Sequence, residues 1–534
     1  MASPGYGDNG SVIGPANTPS TSAASGVWSL GELAEANRDG VWPIPFDGWI
    51  GQFTSGISGS TTAGFTVMCG LNSNNDLWVG YTQNNSGTAT VALAKITNAG
   101  ALSSTHSLSL GSINANLSRM TVPSGGTDVY VSGYAQPGGG NPGSYRIKLN
   151  DSMAVQWFGW NSSDQFAYRD STNATYENSS MGMYVSKDGT KGIHAPYGLV
   201  TAYSSYNYMC DPFDPADGEE WAAGYGPLMN IGSSGATALG SYFRACQING
   251  SNMAGIDRQY NAGTGGYNSL IFKSDNQISG GIGSPFVAYA LVTAGSGYPG
   301  TPKMPPYGYN TGANVDRYMF ATDIAGGTYA GKTVFARWNH ATLAGQFDQQ
   351  TTFTVNAADS PVSPTELSVQ AMAVKSDDAT VYMLTRDNGN TPGQQYLVSF
   401  DPDASSSSVN WQNKILVYRT ADGSSVQNYC YFQNLEIDST DEFLYFAGSL
   451  TTNSVDRNEV LVFKLPTDGS GTGTWTVGNY TVVYGASNIT VANDGGVLST
   501  YTNPGTMFVG SYNETNTETP ATASVTGTLT QGTK

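Results

Sequence analysis

The densest group of carboxylates in the chain lies between positions 211 and 220 and could bind a cation. Asp211, Asp214 and Asp217 stand at three-residue intervals, and carboxylate oxygens are ligands that calcium prefers. An EF-hand loop instead places acidic residues at alternate positions before a glycine, and Pro212 and Pro215 interrupt the run. The spacing therefore favours a rigid, solvated surface loop. No metal site is predicted, and cation binding by the three aspartates stays open as the alternative.

The three histidines, His106, His194 and His340, stand in no spacing that predicts catalysis. The HExxH motif of zinc proteases, the GxSxG motif of hydrolases and the phosphate-binding P-loop are all absent from the sequence. His194 lies in an apolar stretch that predicts a strand, where a buried histidine is commoner than a catalytic one. A glycosidase would need two carboxylates facing each other across a cleft, and the sequence does not pair any. We therefore predict no enzymatic activity, no catalytic residue and no cofactor.

The four cysteines, Cys69, Cys210, Cys246 and Cys430, are far apart in sequence. None forms a CxxC motif of the metal-binding or redox kind. Four cysteines in a chain of this length do not make a disulfide scaffold. We expect isolated buried thiols in strands, while a bridge between Cys210 and Cys246 stays an alternative.

Two runs of tyrosine with serine, asparagine, glycine and proline suggest recognition surface. They lie at positions 203–208 and 305–310, between stretches with strand patterns, and we expect both to be loops. Rigid aromatic rings lose little entropy on binding and can stack on sugars. Ordinary packing of the loops is the alternative.

The composition indicates a β-rich globular protein with an acidic surface. The 534 residues include 67 glycines and 32 tyrosines, and 39% are hydrophobic, so a sizeable core is expected. The net charge is −18, and lysine and arginine form no cluster, so we predict neither nucleic-acid binding nor attraction to anionic membranes. No stretch approaches the roughly 18 apolar residues of a membrane span, and membrane insertion is not predicted.

Residues 1–26 are predicted to form an extended arm. They are rich in glycine, proline, serine, threonine and asparagine and show no apolar periodicity. The first residues carry neither the basic region nor the apolar region of a signal peptide. We therefore expect synthesis in a cytoplasm.

Residues 27–44 contain the clearest helix signal in the chain. Ser29 and Glu32 form an S-x-x-E capping box, and Trp28 and Leu33 have the spacing of a hydrophobic staple. Gly40 suits a left-handed helix end. A lone helix of about ten residues is marginal in water and needs a surface to dock on, either the rest of the chain or another subunit. The predicted docking residues are Trp28, Ser29, Leu30, Glu32, Leu33, Trp42 and Pro43.

Residues 45–512 carry a repeated pattern of four strands. Each unit has a short apolar strand, a polar turn, an alternating strand, a second alternating strand and a strand that contains tryptophan. The short strands are predicted at 120–122, 372–374 and 435–437, and the tryptophans of the last strands are Trp157, Trp411 and Trp475. Asp76, Asp128 and Asp441 stand at equivalent turns. Repeats of this size are typical of β-propeller blades. We predict an all-β fold with a single β-propeller of about seven four-stranded blades, within a range of six to eight.

The two ends of the repeat region are predicted to meet. The strand patterns at 497–501 and 507–511 are expected to pair with early strands near positions 49–53 and to seal the ring. Residues 513–534 are rich in threonine and contain no aromatic residue. This composition predicts a flexible tail.

Two resemblances bear on function. The segment that reads GVWSL at 26–30 and ends in Trp42-Pro43 resembles N-terminal leaders of structural proteins from tailed bacteriophages, notably marine and cyanobacterial ones. The strand pattern, for example VYVSGY at 129–134, is similar to bacterial and phage β-propeller repeats.

The resemblance implies a virion protein, made in the host cytoplasm and attached to other virion proteins through residues 1–43. A tail fibre, tail tip or capsid surface would suit it, in many copies of a symmetric assembly, with a host-surface glycan or protein as a further partner. Two other functions stay open, which are a carbohydrate-active enzyme on a propeller fold and a secreted bacterial adhesin.

Overall fold

The computed structural model describes a large part of the chain from Gly48 onward. The described residues are 48–57, 67–85, 88–111, 114–136, 143–161, 182–195, 197–200, 205–209, 211–218, 226–229, 242–249, 252–261, 266–274, 287–293, 298–299, 303–305, 309–310, 316–339, 347–355, 367–376, 379–387, 394–402, 409–420, 423, 430–450, 459–492, 497–502, 507–510 and 520–534. The chain divides into two units, Met1–Gly48 and Trp49–Lys534. The predicted arm and helix, with all seven predicted docking residues, lie outside the described residues.

These residues form β-strands throughout, with no helix among them. The first half contains β1 (Trp49–Thr54), β2 (Val67–Leu71), β3 (Leu77–Asn85), β4 (Thr88–Ile96), β5 (Leu102–Leu110), β6 (Asn114–Thr121), β7 (Val129–Gln136), β8 (Gly143–Leu149), β9 (Val155–Asn161), β10 (Gly182–Val185), β11 (Gly192–Ala195), β12 (Tyr197–Val200), β13 (Ser205–Met209), β14 (Asp211–Phe213), β15 (Gly226–Met229), β16 (Tyr242–Asn249), β17 (Asn252–Asn261), β18 (Gly266–Ser274) and β19 (Val287–Thr293). The second half contains β20 (Tyr298–Pro299), β21 (Tyr309–Asn310), β22 (Asp316–Ala325), β23 (Thr333–Asn339), β24 (Phe347–Val355), β25 (Leu367–Val374), β26 (Val381–Asp387), β27 (Gln395–Phe400), β28 (Val409–Arg419), β29 (Cys430–Ile437), β30 (Phe443–Leu450), β31 (Glu459–Pro466), β32 (Gly473–Val477), β33 (Tyr480–Ala486), β34 (Ile489–Ala492), β35 (Leu498–Thr502), β36 (Met507–Gly510), β37 (Pro520–Ser524) and β38 (Thr528–Gln531). No helix in this part of the chain has the length and apolar character to cross a bilayer.

The strands assemble into eight antiparallel sheets, most of which are built from strands that follow one another along the chain. The sheets begin with β2–β5 and β6–β9 and end with β29–β31. Their first strands contact one another in turn: β2 contacts β6, β6 contacts β10, β22 contacts β25, and β25 contacts β29. The last of these strands, β29, also contacts β2. This is the blade arrangement of a β-propeller, so the predicted all-β propeller is confirmed.

The blade number stays a prediction, because two of the eight sheets share one hairpin. One residue separates β11 from β12, and one separates β14 from β13. β11 pairs with β14 and β12 with β13, so the hairpin continues across both breaks. Counted as one blade, these two sheets reduce the number to seven; counted separately they give eight.

The propeller is closed by the first described strand. β1 pairs with β31 and becomes the fourth strand of the last sheet. The predicted partners of this strand were wrong: β35 (498–502) pairs with β19, and β36 (507–510) with β15. Trp475, which the repeat pattern placed in the last blade, lies in β32 and is added to the preceding sheet through β33.

The C-terminal segment runs around the outside of the propeller, and we call residues 473–534 the belt. Its strands pair in chain order with the outer strands of six sheets: β33 with β28, β34 with β24, β35 with β19, β36 with β15, β37 with β5 and β38 with β1. Among the described residues, the sheet β6–β9 receives no belt strand. The backbone of Thr533 then bridges Thr476 of β32 near the start of the belt. The belt therefore meets the sheets in the reverse of their order along the chain and ends at the sheet that contains β1.

The prediction of a flexible tail at 513–534 was therefore wrong for residues 520–534, and the propeller does not end at 512. The open edges of the outer strands supply backbone partners, and threonine is β-branched and favours strands. The two tyrosine runs were also wrongly predicted as loops at 205–208, which lie in β13, and at 309–310, which form β21.

The core lies between neighbouring sheets. One cluster joins the last sheet to the first and includes Phe53, Tyr81 and Tyr445, with the rings of Phe53 and Tyr81 meeting edge to face at 6.0 Å. A second joins the first two sheets around Trp78 and Tyr145. Because each sheet is covered only by its neighbours, no blade is stable alone.

Candidate functional site

Of the aspartates at 211–217, the structure describes the side chains of Asp214 and Asp217. Asp214 Oδ1 accepts a hydrogen bond from the amide of Ala216 at 2.8 Å, and the Asp214 carbonyl accepts one from Gly218. Asp214 therefore holds a turn, and Asp217 is exposed. No group of three or more histidine, cysteine or acidic side chains with metal-binding geometry occurs among the described residues.

The described histidines are in strands, which confirms the strand predicted around His194. His194 lies in β11 and is 3% exposed, and burial together with the charge of Arg146 lowers its pKa well below the ordinary value. Its Nε2 has no hydrogen-bond partner among the described residues. His106 lies in β5, and partial burial lowers its pKa. His340 falls outside the described residues.

Of the four cysteines, the structure describes the side chain of Cys69, which is a buried free thiol as predicted. Burial raises its pKa well above the ordinary value, with a further rise from the carboxyl of Glu436. A thiol held protonated in this way is a poor nucleophile. The predicted alternative of a Cys210–Cys246 bridge lies outside the described side chains.

The first strands of several sheets, which lie nearest the propeller axis, share an irregularity. β-bulges interrupt their pairing with the second strands at Ser118, Arg244, Gln370 and the pair Gln433–Asn434. A bulge inserts an extra residue and changes the direction of the side chains around it, and bulges are frequent next to functional sites. Irregular pairing is not confined to the axis, since bulges also occur between third and fourth strands, as at Lys95–Ile96 and Lys148–Leu149.

Five residues from four of these first strands form what we call the axial cluster: Cys69, Arg119, Tyr184, Asn434 and Glu436. The guanidinium carbon of Arg119 in β6 lies 4.7 Å from the ring centroid of Tyr184 in β10, which is a cation–π contact. Arg119 is half-buried, whereas Tyr184 is 4% exposed.

The first sheet and the last meet within this cluster. Asn434 Nδ2 in β29 donates to the carbonyl of Cys69 in β2 at 2.8 Å, and the Cys69 thiol lies 3.9 Å from the carbonyl of Asn434. These bonds cross the closure of the propeller and fix the orientation of the Asn434 amide.

Glu436 is the carboxyl of the axial cluster and is 6% exposed. Burial raises its pKa from 4.5 to about 8, and the positive charge of Arg119 only partly offsets this rise. At neutral pH the carboxyl is therefore mostly protonated and can donate a hydrogen bond. A neutral carboxyl beside a cation suits the binding of a polar or negatively charged group.

Three buried polar atoms at or beside the cluster have no hydrogen-bond partner among the described residues. They are Ser118 Oγ, Arg119 Nε and Asn434 Oδ1. Ser118 is 1% exposed and Asn434 is 6% exposed. Each of the three atoms has almost no accessible surface, and a buried polar atom without a partner costs folding free energy.

The axial cluster has no counterpart among the predicted site residues, although strands that carry two of its members were predicted. Arg119 immediately precedes the predicted strand 120–122, and Glu436 lies within the one at 435–437. The available signal was a charged residue in or beside a short apolar strand. The pattern gave no reason to join two residues more than 300 positions apart.

Comparisons with known proteins add little. No protein-family model and no curated protein matches the sequence. Among solved structures, Sqt1 from Chaetomium thermophilum is similar with a TM-score of 0.37 and 10% identity, over 77% of this chain and 99% of that one. The α-L-arabinanase of Penicillium chrysogenum, solved with arabinobiose, is similar with a TM-score of 0.36 and 10% identity, over 78% of this chain and 98% of that one. Similarity at this level assigns no function.

Proposed function

We propose that this chain is a non-enzymatic structural protein of a bacteriophage virion, a tail-fibre, tail-tip or capsid-surface component. Residues 1–43 attach it to other virion proteins, and the propeller is presented for assembly contacts or for attachment to a host surface. The resemblance of the GVWSL…WP segment to phage leaders supports the attachment role.

The belt is the observation that carries this proposal. Exposed sheet edges present unpaired backbone groups that recruit further strands and cause aggregation. This hazard grows with local concentration, and a virion holds many copies of a surface protein close together. Six outer strands are covered by belt strands, namely β1, β5, β15, β19, β24 and β28. Covering these six edges lowers the risk of self-association and suits dense, long-lived display.

The charge balance supports the same function. A net charge of −18 with 22 basic and 40 acidic residues makes neighbouring copies repel one another outside their specific contacts. It also disfavours adsorption to the packaged nucleic acid.

The test is the location of the chain in particles. Virions purified from the source culture through a density gradient are examined by quantitative mass spectrometry and by immunogold labelling with antibodies against the propeller. We expect several copies per particle and gold at one part of the particle. Recovery of the chain only in the soluble fraction, or on the surface of bacterial cells, would contradict the proposal.

Attachment is tested with full-length variants. The double variant Trp28→Ala, Leu33→Ala removes both residues of the predicted hydrophobic staple and should lower incorporation into particles at least tenfold. The matched control is Lys187→Ala, which changes an exposed turn of the propeller and should incorporate normally. Normal incorporation of the double variant would exclude this segment as the anchor.

Catalysis is the competing function and has its own assay. A carbohydrate-active propeller would release reducing sugars from host polysaccharide, which a non-enzymatic protein would not. Release that scales with enzyme concentration would overturn the non-enzymatic proposal.

A further inference from the structure

We propose that the outer edge of β9, from Gly159 onward, is an interaction surface for residues 511–519 of the same chain, which pair with it as a further belt strand. β9 is the outer strand of the sheet β6–β9, and among the described residues it pairs with β8 alone. Residues 511–519 lie outside the described part of the chain. The inference goes beyond the proposed function and holds wherever the protein is located.

The edge of β9 has no residue that would discourage pairing with another strand. The strand reads VQWFGWN and contains neither a proline nor a charged side chain. In an antiparallel pair, alternate residues exchange hydrogen bonds with the neighbouring strand, and the residues between them direct their N–H and C=O groups to the other side. Pairing with β8 therefore leaves backbone groups of β9 directed outward. An extended segment fits this edge.

β9 is equivalent to two outer strands that carry belt strands, β1 and β28. Each of the three strands has a tryptophan that donates its Nε1–H to a backbone carbonyl in a turn of the neighbouring sheet, namely Trp49, Trp157 and Trp411. β9 and β28 also share a bulge next to the tryptophan, at Gln156 and Asn410. These shared features align the three strands residue by residue.

The alignment specifies where the belt should begin on β9. In β1 and β28 the first residue that pairs with the belt is the second after the tryptophan, which is Gly51 in β1 and Asn413 in β28. The second residue after Trp157 is Gly159. The predicted surface therefore begins at Gly159 and continues towards the end of the strand.

The length of the chain between β36 and β37 fits one additional strand. Elsewhere from β33 to β38, consecutive belt strands are separated by two to five residues, whereas nine residues separate β36 from β37. The belt strands β34–β38 have four or five residues each. Nine residues therefore accommodate one such strand with a short link on either side.

The flanking belt strands bring this segment past β9. β36 pairs with β15 and β37 with β5, and the sheet β6–β9 lies between those two sheets, since β6 contacts both β2 and β10. Thr522 Oγ1 in β37 donates to the carbonyl of Met153, two residues before β9, at 2.8 Å. A belt strand antiparallel to β9 runs from Asn161 towards Val155 and leaves it at the end that β37 contacts.

The sequence of the segment suits an edge strand. Residues 511–519 read SYNETNTET and contain neither glycine nor proline. Threonine is β-branched and favours strands, and here it occupies every second position from Thr515 to Thr519. Alternate residues of a strand share one face, so the threonines lie on one side and the glutamates on the other.

A second copy of the chain is the competing occupant of this edge. A segment held at both ends by neighbouring belt strands has a far higher local concentration at β9 than a strand from another molecule. The net charge of −18 further opposes the approach of a second copy. Both arguments favour the segment of the same chain.

Cysteine cross-linking tests the contact and its register. Links of two to five residues at both ends place the strand within 513–517, so the residue opposite Asn161 is Glu514 or Thr515. Asn161→Cys is combined in turn with Glu514→Cys, Thr515→Cys and Glu518→Cys in dilute full-length protein, and the parent protein with its four cysteines gives the background. An intramolecular disulfide should form at least tenfold faster with position 514 or 515 than with 518.

The matched control for cross-linking moves the anchor cysteine to another sheet. Ser470→Cys lies in an exposed turn between β31 and β32 and should form no disulfide with these positions above background. Equal rates with Asn161→Cys and Ser470→Cys would overturn the proposal. Disulfide-linked dimers in place of the intramolecular product would assign the edge of β9 to a second copy and would overturn it as well.

Hydrogen exchange tests the backbone pairing. In the double variant Thr515→Pro, Asn516→Pro, one of the two lost N–H groups faces β9 in either register, because adjacent residues of a strand alternate in direction. Amides of β9 from Gly159 onward should exchange at least tenfold faster in this variant than in the matched control Thr515→Ala, Asn516→Ala, while β5 is unchanged. Equal exchange at β9 in the two variants would show that residues 511–519 do not cover this edge.

Discussion

Three tryptophans join neighbouring sheets by the same contact. Each indole lies on an outer strand and donates its Nε1–H to a backbone carbonyl in a turn of the next sheet: Trp157 to Pro215 at 3.1 Å, Trp411 to Thr467 at 2.8 Å and Trp49 to Asn98 at 3.1 Å. Each also packs against a glycine with positive φ in that turn, namely Gly218, Gly469 and Gly100. The repeated tryptophan of the sequence is thus a link between blades.

Glycine is required at this link for two reasons, which are the left-handed backbone and the lack of space for a Cβ atom beside the indole. At Gly469 φ is +77°, and an added Cβ would lie 2.5 Å from Cδ2 of Trp411. At Gly326 φ is +75° and an added Cβ meets nothing within 4 Å. We expect Gly326→Ala to cost about 1 kcal/mol for the left-handed backbone alone. Gly469→Ala should cost about 2 kcal/mol more, because overpacking is added. Urea denaturation measures both; equal losses would show that the indole contact is unimportant.

Glu436 should make stability depend on pH. Its folded pKa of about 8 exceeds the ordinary 4.5, so the folded protein holds this proton more tightly than the unfolded chain. The stabilisation is complete below pH 4.5 and is lost as pH rises towards 8, at no more than about 1.4 kcal/mol per pH unit. Glu436→Gln should remove this slope. Thermal melting of both proteins from pH 5 to pH 9 tests it, and parallel curves would show that Glu436 does not titrate in this way.

The sequence predicted the tryptophan strands but could not predict their partners. Trp411 and Thr467 are 56 residues apart, and Trp157 and Pro215 are 58 apart. A local pattern carries no information on which turn of the next blade receives an indole. The same limit hid the axial cluster, because Asn434 and Cys69 meet only when the last sheet closes on the first.

At the scale of elements, the sequence was most informative where strands are bounded by turn residues. Asn72, Asp188 and Asp438 accept hydrogen bonds from amides of their own turns. Such turns end one strand and begin the next, which is why the strands around Asp76, Asp128 and Asp441 were predicted close to their observed bounds. The last two belt strands, Pro520–Ser524 and Thr528–Gln531, escaped prediction because their backbone partners come from distant sheets and their side chains are mostly exposed.

The last two belt strands should protect the edges of β5 and β1 from pairing with other molecules. Truncation after Thr519 removes β37 and β38 and leaves the edges of β5 and β1 without these partners. We expect the far-ultraviolet circular dichroism to keep its β character, while unfolding in denaturant becomes at least tenfold faster and the protein self-associates through the open edges. Light scattering and stopped-flow unfolding measure these effects.

The matched control for this truncation ends after Gln531. It keeps both strands and removes the backbone bridge between Thr533 and Thr476. It should stay monodisperse and unfold at nearly the rate of the full chain. Self-association of both truncated proteins to the same extent would assign the effect to the bridge and not to the covered edges.

For the whole propeller, the closing contact resembles the contacts between blades that adjoin in sequence. Trp49 joins the last sheet to the first, and Trp411 joins the preceding sheet to the last, through equivalent bonds to backbone carbonyls. β1 lies between β31 and β38, so both ends of the described chain are built into one sheet. The junctions at Trp49, Trp157 and Trp411 are held by the same kind of contact and each blade is covered by its neighbours, so we expect one cooperative transition.

Two substitutions compare the stability of the closing junction at Trp49 with that of the junction at Trp411. Trp49→Phe and Trp411→Phe each keep an aromatic ring and remove one indole donor, which should cost about 1 to 2 kcal/mol in either case. Differential scanning calorimetry should show a single transition in both variants, lowered by the same amount. A separate early transition in Trp49→Phe alone would mean that the junction between the last and first sheets is weaker than the junction at Trp411. Unfolding would then begin at β1, and the pairing of the belt strand β38 with β1 would be the main interaction that keeps the propeller closed.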